Sequence, residues 1–189
     1  MSVISILIVG VGGQGSLLAS RILGALAESA GYDVKVSEVH GMAQRGGSVV
    51  TYVRMGDKVH SPLIEKGGAD FMLAFEMLEG LRYRDMLKEG GVAVINNQRI
   101  SPLPVIMGNV EYPAQQIREF LESGNTHVVD ALQIAEKAGN IRTANTVLLG
   151  KLAKLSSIGR EKWIDAIKKC VPEKTLDANI QAFDEGYHL

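Results

Sequence analysis

Residues 4–15 constrain the chain most. A short, almost continuously apolar run, Ile4-Ser5-Ile6-Leu7-Ile8-Val9, ends in Gly10-Val11-Gly12-Gly13-Gln14-Gly15. A run of that kind suits a strand buried on both faces, as in the middle of a parallel sheet. Gln14 to Ala30 then carries apolar residues at helical spacing (Leu17, Leu18, Ile22, Ala25, Leu26), and Gly31 stands where a left-handed cap closes a helix. Asp33 to Val39 alternates apolar and polar residues, a second strand. Strand, helix and strand in that length predict a βαβ unit.

Gly10, Gly12 and Gly15 satisfy G-x-G-x-x-G between a predicted strand and a predicted helix, the context in which the motif has physical meaning. Absent side chains allow a tight turn, and N–H groups at the helix start can face an anionic phosphate. Two roles suit the loop: phosphate or cofactor binding through Gly10, Gly12, Gly13, Gln14 and Gly15, or close packing of strand against helix. Glu38, near the end of the second strand, is the acidic residue that a dinucleotide site would need for ribose hydroxyls.

The remaining chain keeps the α/β pattern. Strands are expected at Ser48–Met55, Asp70–Phe75, Val92–Ile95 and His127–Asp130. A short extended piece is expected as far as His60. Helices are expected at Glu76–Lys88, Pro113–Leu121, Ala131–Ala138, Thr143–Leu155, Arg160–Cys170 and Thr175–Tyr187. Ser101 to Pro104 is a connection too short to divide two domains. The expected fold is a single domain spanning residues 1–189: a Rossmann-like, doubly wound, mainly parallel sheet with helices on both faces and a helical C-terminal tail.

A second loop, His40-Gly41-Met42-Ala43-Gln44-Arg45-Gly46-Gly47-Ser48, follows the second strand and should emerge at the carboxyl edge, where open α/β sheets bind ligands. Arg45 with Gly46 and Gly47 could offer a guanidinium and free N–H groups to a phosphate or carboxylate, or the loop could pack against a partner subunit. These roles are compatible. Glu76, at another strand-to-helix junction, is read as a helix cap, and Glu79 with Arg82 as an exposed helix pair. Asn145, Thr146 and Gly150 are expected to bring a late helix close to the sheet. Trp163 reads as core or contact surface, and Cys170 as a buried structural thiol.

Composition narrows the function. The formal net charge is −1 over 189 residues, without the clustered Lys and Arg of a nucleic-acid binder. One cysteine excludes an internal disulfide and an iron–sulfur cluster held by this chain alone, which takes about four thiolates. No apolar run approaches the ~20 residues of a membrane span, and no secretory signal opens the sequence, so the expectation is a cytoplasmic protein. There is no Gly-x-x-x-x-Gly-Lys-Ser/Thr loop, Gly-x-Ser-x-Gly elbow or His-Glu-x-x-His pair. Also missing is a Gly-Asp-Gly with a distant Asn pair, which would hold thiamine diphosphate through magnesium. Catalysis by this chain alone therefore has little support.

Taken together, Gly10–Gly15, Glu38–Val49, Ala69–Glu76 with Leu78–Tyr83, and Asn145–Gly150 resemble the gamma-type subunit of 2-oxoacid:ferredoxin oxidoreductases. The Gly-Met-Ala-Gln-Arg-Gly-Gly form resembles the beta subunit of the indolepyruvate enzyme more than the pyruvate enzymes. The resemblance implies a large partner subunit holding thiamine diphosphate, magnesium and iron–sulfur clusters. It implies CoA-dependent oxidative decarboxylation of an aryl 2-oxoacid to the acyl-CoA, with ferredoxin reduced. Coenzyme A is associated with the gamma-type domain, so the glycine loop and Arg45 become candidate contacts for its phosphates. Two other readings compete. A stand-alone NAD(P)- or flavin-binding oxidoreductase would bind a dinucleotide tightly. A ligand-free structural subunit would lose assembly, and not CoA affinity, on substitution of Gly12 or Arg45.

Overall fold

The computed structural model describes residues 2–41 and 47–189. The chain runs β1 (Ile4–Val11), α1 (Ser16–Ser29), β2 (Asp33–His40), β3 (Ser48–Gly56), β4 (Ala69–Ala74), α2 (Met77–Arg82), β5 (Leu87–Asn96) and α3 (Leu103–Ile106). It continues through α4 (Ala114–Leu121), β6 (Thr126–Val129), α5 (Ala131–Lys137), α6 (Ala144–Leu155), α7 (Arg160–Cys170) and α8 (Leu176–Tyr187).

The six strands lie in the order β2-β3-β1-β4-β5-β6. β1, β4, β5 and β6 pair in parallel, while β3 runs antiparallel to both β1 and β2. All strands but β3 therefore point the same way, and the doubly wound architecture is the one expected. The first βαβ unit is split, however. The short connection between β2 and β3 folds them as a hairpin, His40 opposite Val49, and β3 takes the place beside β1. A crossover through α1 thus carries β2 past β3 to the sheet edge.

Alternation of side chains sorts the central strands onto two faces. Ile6 and Ile8 of β1, Val53 and Met55 of β3, Leu73 of β4 and Val94 of β5 join one core with α1 and α5–α8. Leu7, Val9, Val50, Met72, Ala74, Ala93 and Ile95 face the other way, toward a thinner layer that includes Phe120 of α4 and Ile64. Ile22, Leu23 and Leu26 of α1 are fully buried, each worth about 1.5–3 kcal/mol by transfer from water. Because α1 lies on one face and α2 and α4 on the other, the winding reverses between β1 and β4.

Several elements differ from expectation. The Glu76–Lys88 helix stops at Arg82, since Leu87 already enters β5. Residues 57–68 form turns and bends without a strand. The presumed connection, Ser101 to Pro104, runs into a turn of helix at Leu103–Ile106, with Leu103, Ile106 and Met107 exposed. Gly150 of α6 packs against α8 rather than the sheet: a Cβ there would collide with Phe183 O. Among the described residues no helix is long and apolar enough to cross a membrane.

Candidate functional site

The carboxyl ends of β1, β4 and β5 open on a cleft of about 390 Å³. Its lining includes Gly13, Gln14 and Gly15 after β1, Phe75 after β4, Asn96 and Gln98 at the end of β5, and Arg142 and Asn145 before and within α6. This is the crevice where the winding reverses, the usual ligand position of an open α/β sheet.

The glycine loop is held from both sides. The Gly12 N–H donates to Gly47 O at 2.9 Å, which joins the loop to the β2–β3 connection at the carboxyl edge. The Val11 N–H donates to Gln14 Oε1 at 2.8 Å, and Gln14 Nε2 donates to Phe75 O and to Gln98 Oε1, both at 2.9 Å. Gln14 is therefore a tie across three strand ends. A Cβ on Gly10 would lie 2.8 Å from Gln14 Oε1 and 3.0 Å from the Phe75 Cβ, so this glycine makes room for the tie. Gly13 and Gly15 have φ of +97° and +88°, a region that side chains disfavour. Gly15 begins α1, no side chain caps the helix, and Asn145 Nδ2 donates to Gly15 O at 3.3 Å. Arg45 and Gly46, the other candidate phosphate contacts, lie outside the described residues, as do the loop residues Met42, Ala43 and Gln44.

Glu38 is not placed to hold a ribose. β3 separates its strand from β1, and its carboxylate is occupied, accepting from Thr51 Oγ1 at 2.8 Å and pairing with His40 Nε2 at 2.8 Å.

Glu76 caps α2 as expected. One oxygen accepts from the Glu79 N–H at 2.9 Å and the other from the Ile100 N–H at 3.0 Å. Burial raises its pKa above the ordinary carboxylate value, against the opposing pull of those N–H groups. Glu79 corrects the expectation of an exposed pair. It is only 2% exposed, and besides Arg82 at 2.5 Å it accepts from Ser48 Oγ at 2.6 Å, fastening α2 to the start of β3. Cys170 is half-buried, its Sγ 3.5 Å from Arg21 O, and burial raises its pKa away from a reactive thiolate.

Asn96, Gln98 and Arg142 were missed by the sequence reading. The signal was there in part: polar amides directly after a buried apolar strand stand at the ligand edge. Asn96 is 3% exposed, donating to Phe75 O at 3.2 Å and Gln98 Oε1 at 3.0 Å while accepting from the Ala131 N–H at 3.2 Å.

Comparison with known proteins bears on the whole chain. The family model described as pyruvate ferredoxin/flavodoxin oxidoreductase matches residues 5–189. The indolepyruvate oxidoreductase subunit IorB of Pyrococcus horikoshii is 44% identical over 188 residues, covering 96% of this chain and 93% of the relative. The subunit of the same name from Archaeoglobus fulgidus is 42% identical, covering 98% and 94%. Among solved structures, the gamma subunit of a keto/oxoacid ferredoxin oxidoreductase from Geobacter sulfurreducens superposes with a TM-score of 0.73 at 26% identity, covering 98% of this chain and 96% of that one.

Proposed function

Because the chain belongs to the pyruvate ferredoxin/flavodoxin oxidoreductase family, we propose that it is the non-cluster subunit of an indolepyruvate ferredoxin oxidoreductase. The observation that carries this reading is the 44% identity to an indolepyruvate oxidoreductase subunit, sustained over 96% of the chain. The holoenzyme decarboxylates an aryl 2-oxoacid, joins the acyl group to CoA and passes two electrons to ferredoxin. Thiamine diphosphate, magnesium and the iron–sulfur clusters reside on a larger partner. The residues here agree with that division: the chain's one cysteine is half-buried, and a cluster takes about four thiolates.

In this reading the chain supports CoA use. Gly10, Gly12, Gly13, Gln14, Gly15 and Gly47 are the candidate contacts for the CoA phosphates, of which Gly13, Gln14 and Gly15 line the cleft; Arg45 and Gly46, outside the described residues, are candidates on the sequence alone. The carboxyl-edge position of the loop and the uncapped start of α1 support that assignment. The stand-alone dinucleotide enzyme loses its ribose-holding residue, since β3 stands between Glu38 and the glycine loop.

Reconstitution tests the reading. The large subunit purified alone should reduce ferredoxin poorly with indolepyruvate and CoA, and addition of this chain should restore the activity. Equal activity with and without the chain would contradict the proposal.

A further inference from the structure

Among the described residues the most exposed large apolar side chains, Leu103, Ile106 and Met107, share one turn of helix in the connection from β5 to α4. Val110, also more than half exposed, follows them. The i, i+3, i+4 spacing turns the first three to one side of α3, while Val105 on the opposite side is half-buried. No charged residue occurs from Ile100 to Val110. The protrusion is held at its roots: the Met77 N–H donates to Gln98 O and the Ile100 N–H to Glu76, both at 3.0 Å, and the Arg99 guanidinium lies 3.8 Å over the Tyr112 ring. At its tip Gly108, with φ of +74°, turns the chain back, and the Asn109 N–H donates to Pro104 O at 2.9 Å. The apolar side chains are thus offered to water on a preformed support, which lowers the ordering cost of docking.

The chemistry and the position of the protrusion say what covers it. Clustered exposed apolar side chains without charge match the core of a lasting protein interface, whereas a transient contact is steered by charge. β5 ends and α4 begins at the carboxyl edge of the sheet, the edge of the glycine loop and the cleft. Leu17 in the first turn of α1 and Ile141 in the cleft lining are exposed at the same edge. In the subunit reading CoA must reach an acyl group carried by thiamine on the larger subunit, so the active site of that subunit has to meet this edge. A second copy of this chain stacked here would shut the two clefts against each other.

We propose that α3 and residues 107–110 anchor this chain to the larger, thiamine-bearing subunit, seating Leu103, Ile106, Met107 and Val110 in an uncharged apolar groove of that partner. The inference rests on the subunit reading and adds the docking surface, which that reading leaves open.

Calorimetric titration of the purified larger subunit with this chain tests the surface, comparing the wild type with the double variant Ile106→Glu, Met107→Glu. Both side chains stand in water in the free chain, so the variant should melt as the wild type does. Its affinity for the larger subunit should fall about a hundredfold or more, the effect of charging two central anchors. Ile106→Leu with Met107→Leu should bind as the wild type does. At saturating concentration the charged variant should restore ferredoxin reduction with the wild-type KM for CoA. Amide hydrogen exchange at residues 105–110 of the wild-type chain, which needs no substitution, should slow on binding the larger subunit. Equal affinity of the charged variant and the wild type, or exchange unchanged by binding, would overturn the docking surface and leave the subunit reading standing. So would a variant that alters only the KM for ferredoxin, or only self-association of this chain. Failure of the wild-type chain to bind the larger subunit at all would sink the subunit reading and the docking surface with it.

Discussion

Gln14 donates to Gln98 at 2.9 Å across 84 residues of sequence, joining the loop after β1 to the end of β5 beside the cleft. Removing Gln14 leaves the Val11 N–H without its acceptor in a partly buried setting, while Gln98 Oε1 and Phe75 O keep only the Asn96 amide as donor. Gln14→Ala should cost about 2–3 kcal/mol in urea unfolding. Gln14→Glu should cost more, because a carboxylate oxygen would then face Phe75 O and Gln98 Oε1. Equal stability of Gln14→Glu and the wild type would mean that the tie is not formed.

The two left-handed glycines of the loop should separate strain from crowding. Gly13 has open space around its missing Cβ, so Gly13→Ala meets only the unfavourable φ, about 1–2 kcal/mol. At Gly15 a Cβ would also lie 2.6 Å from Asn145 Nδ2, displacing the side chain that donates to Gly15 O. Gly15→Ala should therefore be clearly the less stable of the two in parallel thermal melts. The reverse order would contradict the packing of α6 on the loop.

How far the sequence carried this picture can be read from the same residues. The apolar run and the spacing of Gly10, Gly12 and Gly15 specify a strand, a turn and a helix locally, and that prediction holds. The position of β3 is a pairing choice between residues far apart, Val9 with Val50 for instance, and local periodicity holds no record of it. The burial of Glu79 was hidden for a similar reason: its partner Ser48 lies 31 residues away, and the visible pattern was only Arg82 three residues on. The cleft needed Asn96, Gln98 and Arg142, which become neighbours of the glycine loop only once the sheet is assembled.

The helical tail depends on close backbone contact. A Cβ on Gly150 would run into Phe183 O, and one on Gly186 into Val147 O, so α6 and α8 touch through two glycines. Nearby, Thr146 Oγ1 donates to Asn179 Oδ1 at 2.7 Å. Gly150→Ala and Gly186→Ala should each cost about 3 kcal/mol or more by overpacking, lowering the melting temperature by many degrees. A loss within about 0.5 kcal/mol, usual for surface sites, would show that the helices stand further apart.

His127 gives the stability a pH dependence. Burial, assisted by the charge of Lys151, lowers its pKa below the ordinary 6.5. Between the lowered folded value and 6.5 the unfolded chain binds more protons, so this residue's contribution to stability rises with pH and is lost on acidification through that window. His127→Gln should remove that slope. The check is the stability difference between the variant and the wild type from pH 7 downward: it should shift in the variant's favour as the pH falls. A difference independent of pH would mean that His127 is as solvated folded as unfolded.

Membership of a larger enzyme is tested most directly by gentle anaerobic affinity purification of the tagged chain from its native host, with iron, sulfide and thiamine assayed in the eluate. The expected result is a larger partner carrying iron, sulfide and thiamine diphosphate, with ferredoxin reduction that requires indolepyruvate and CoA. Recovery of the chain alone with a tightly bound dinucleotide would contradict it.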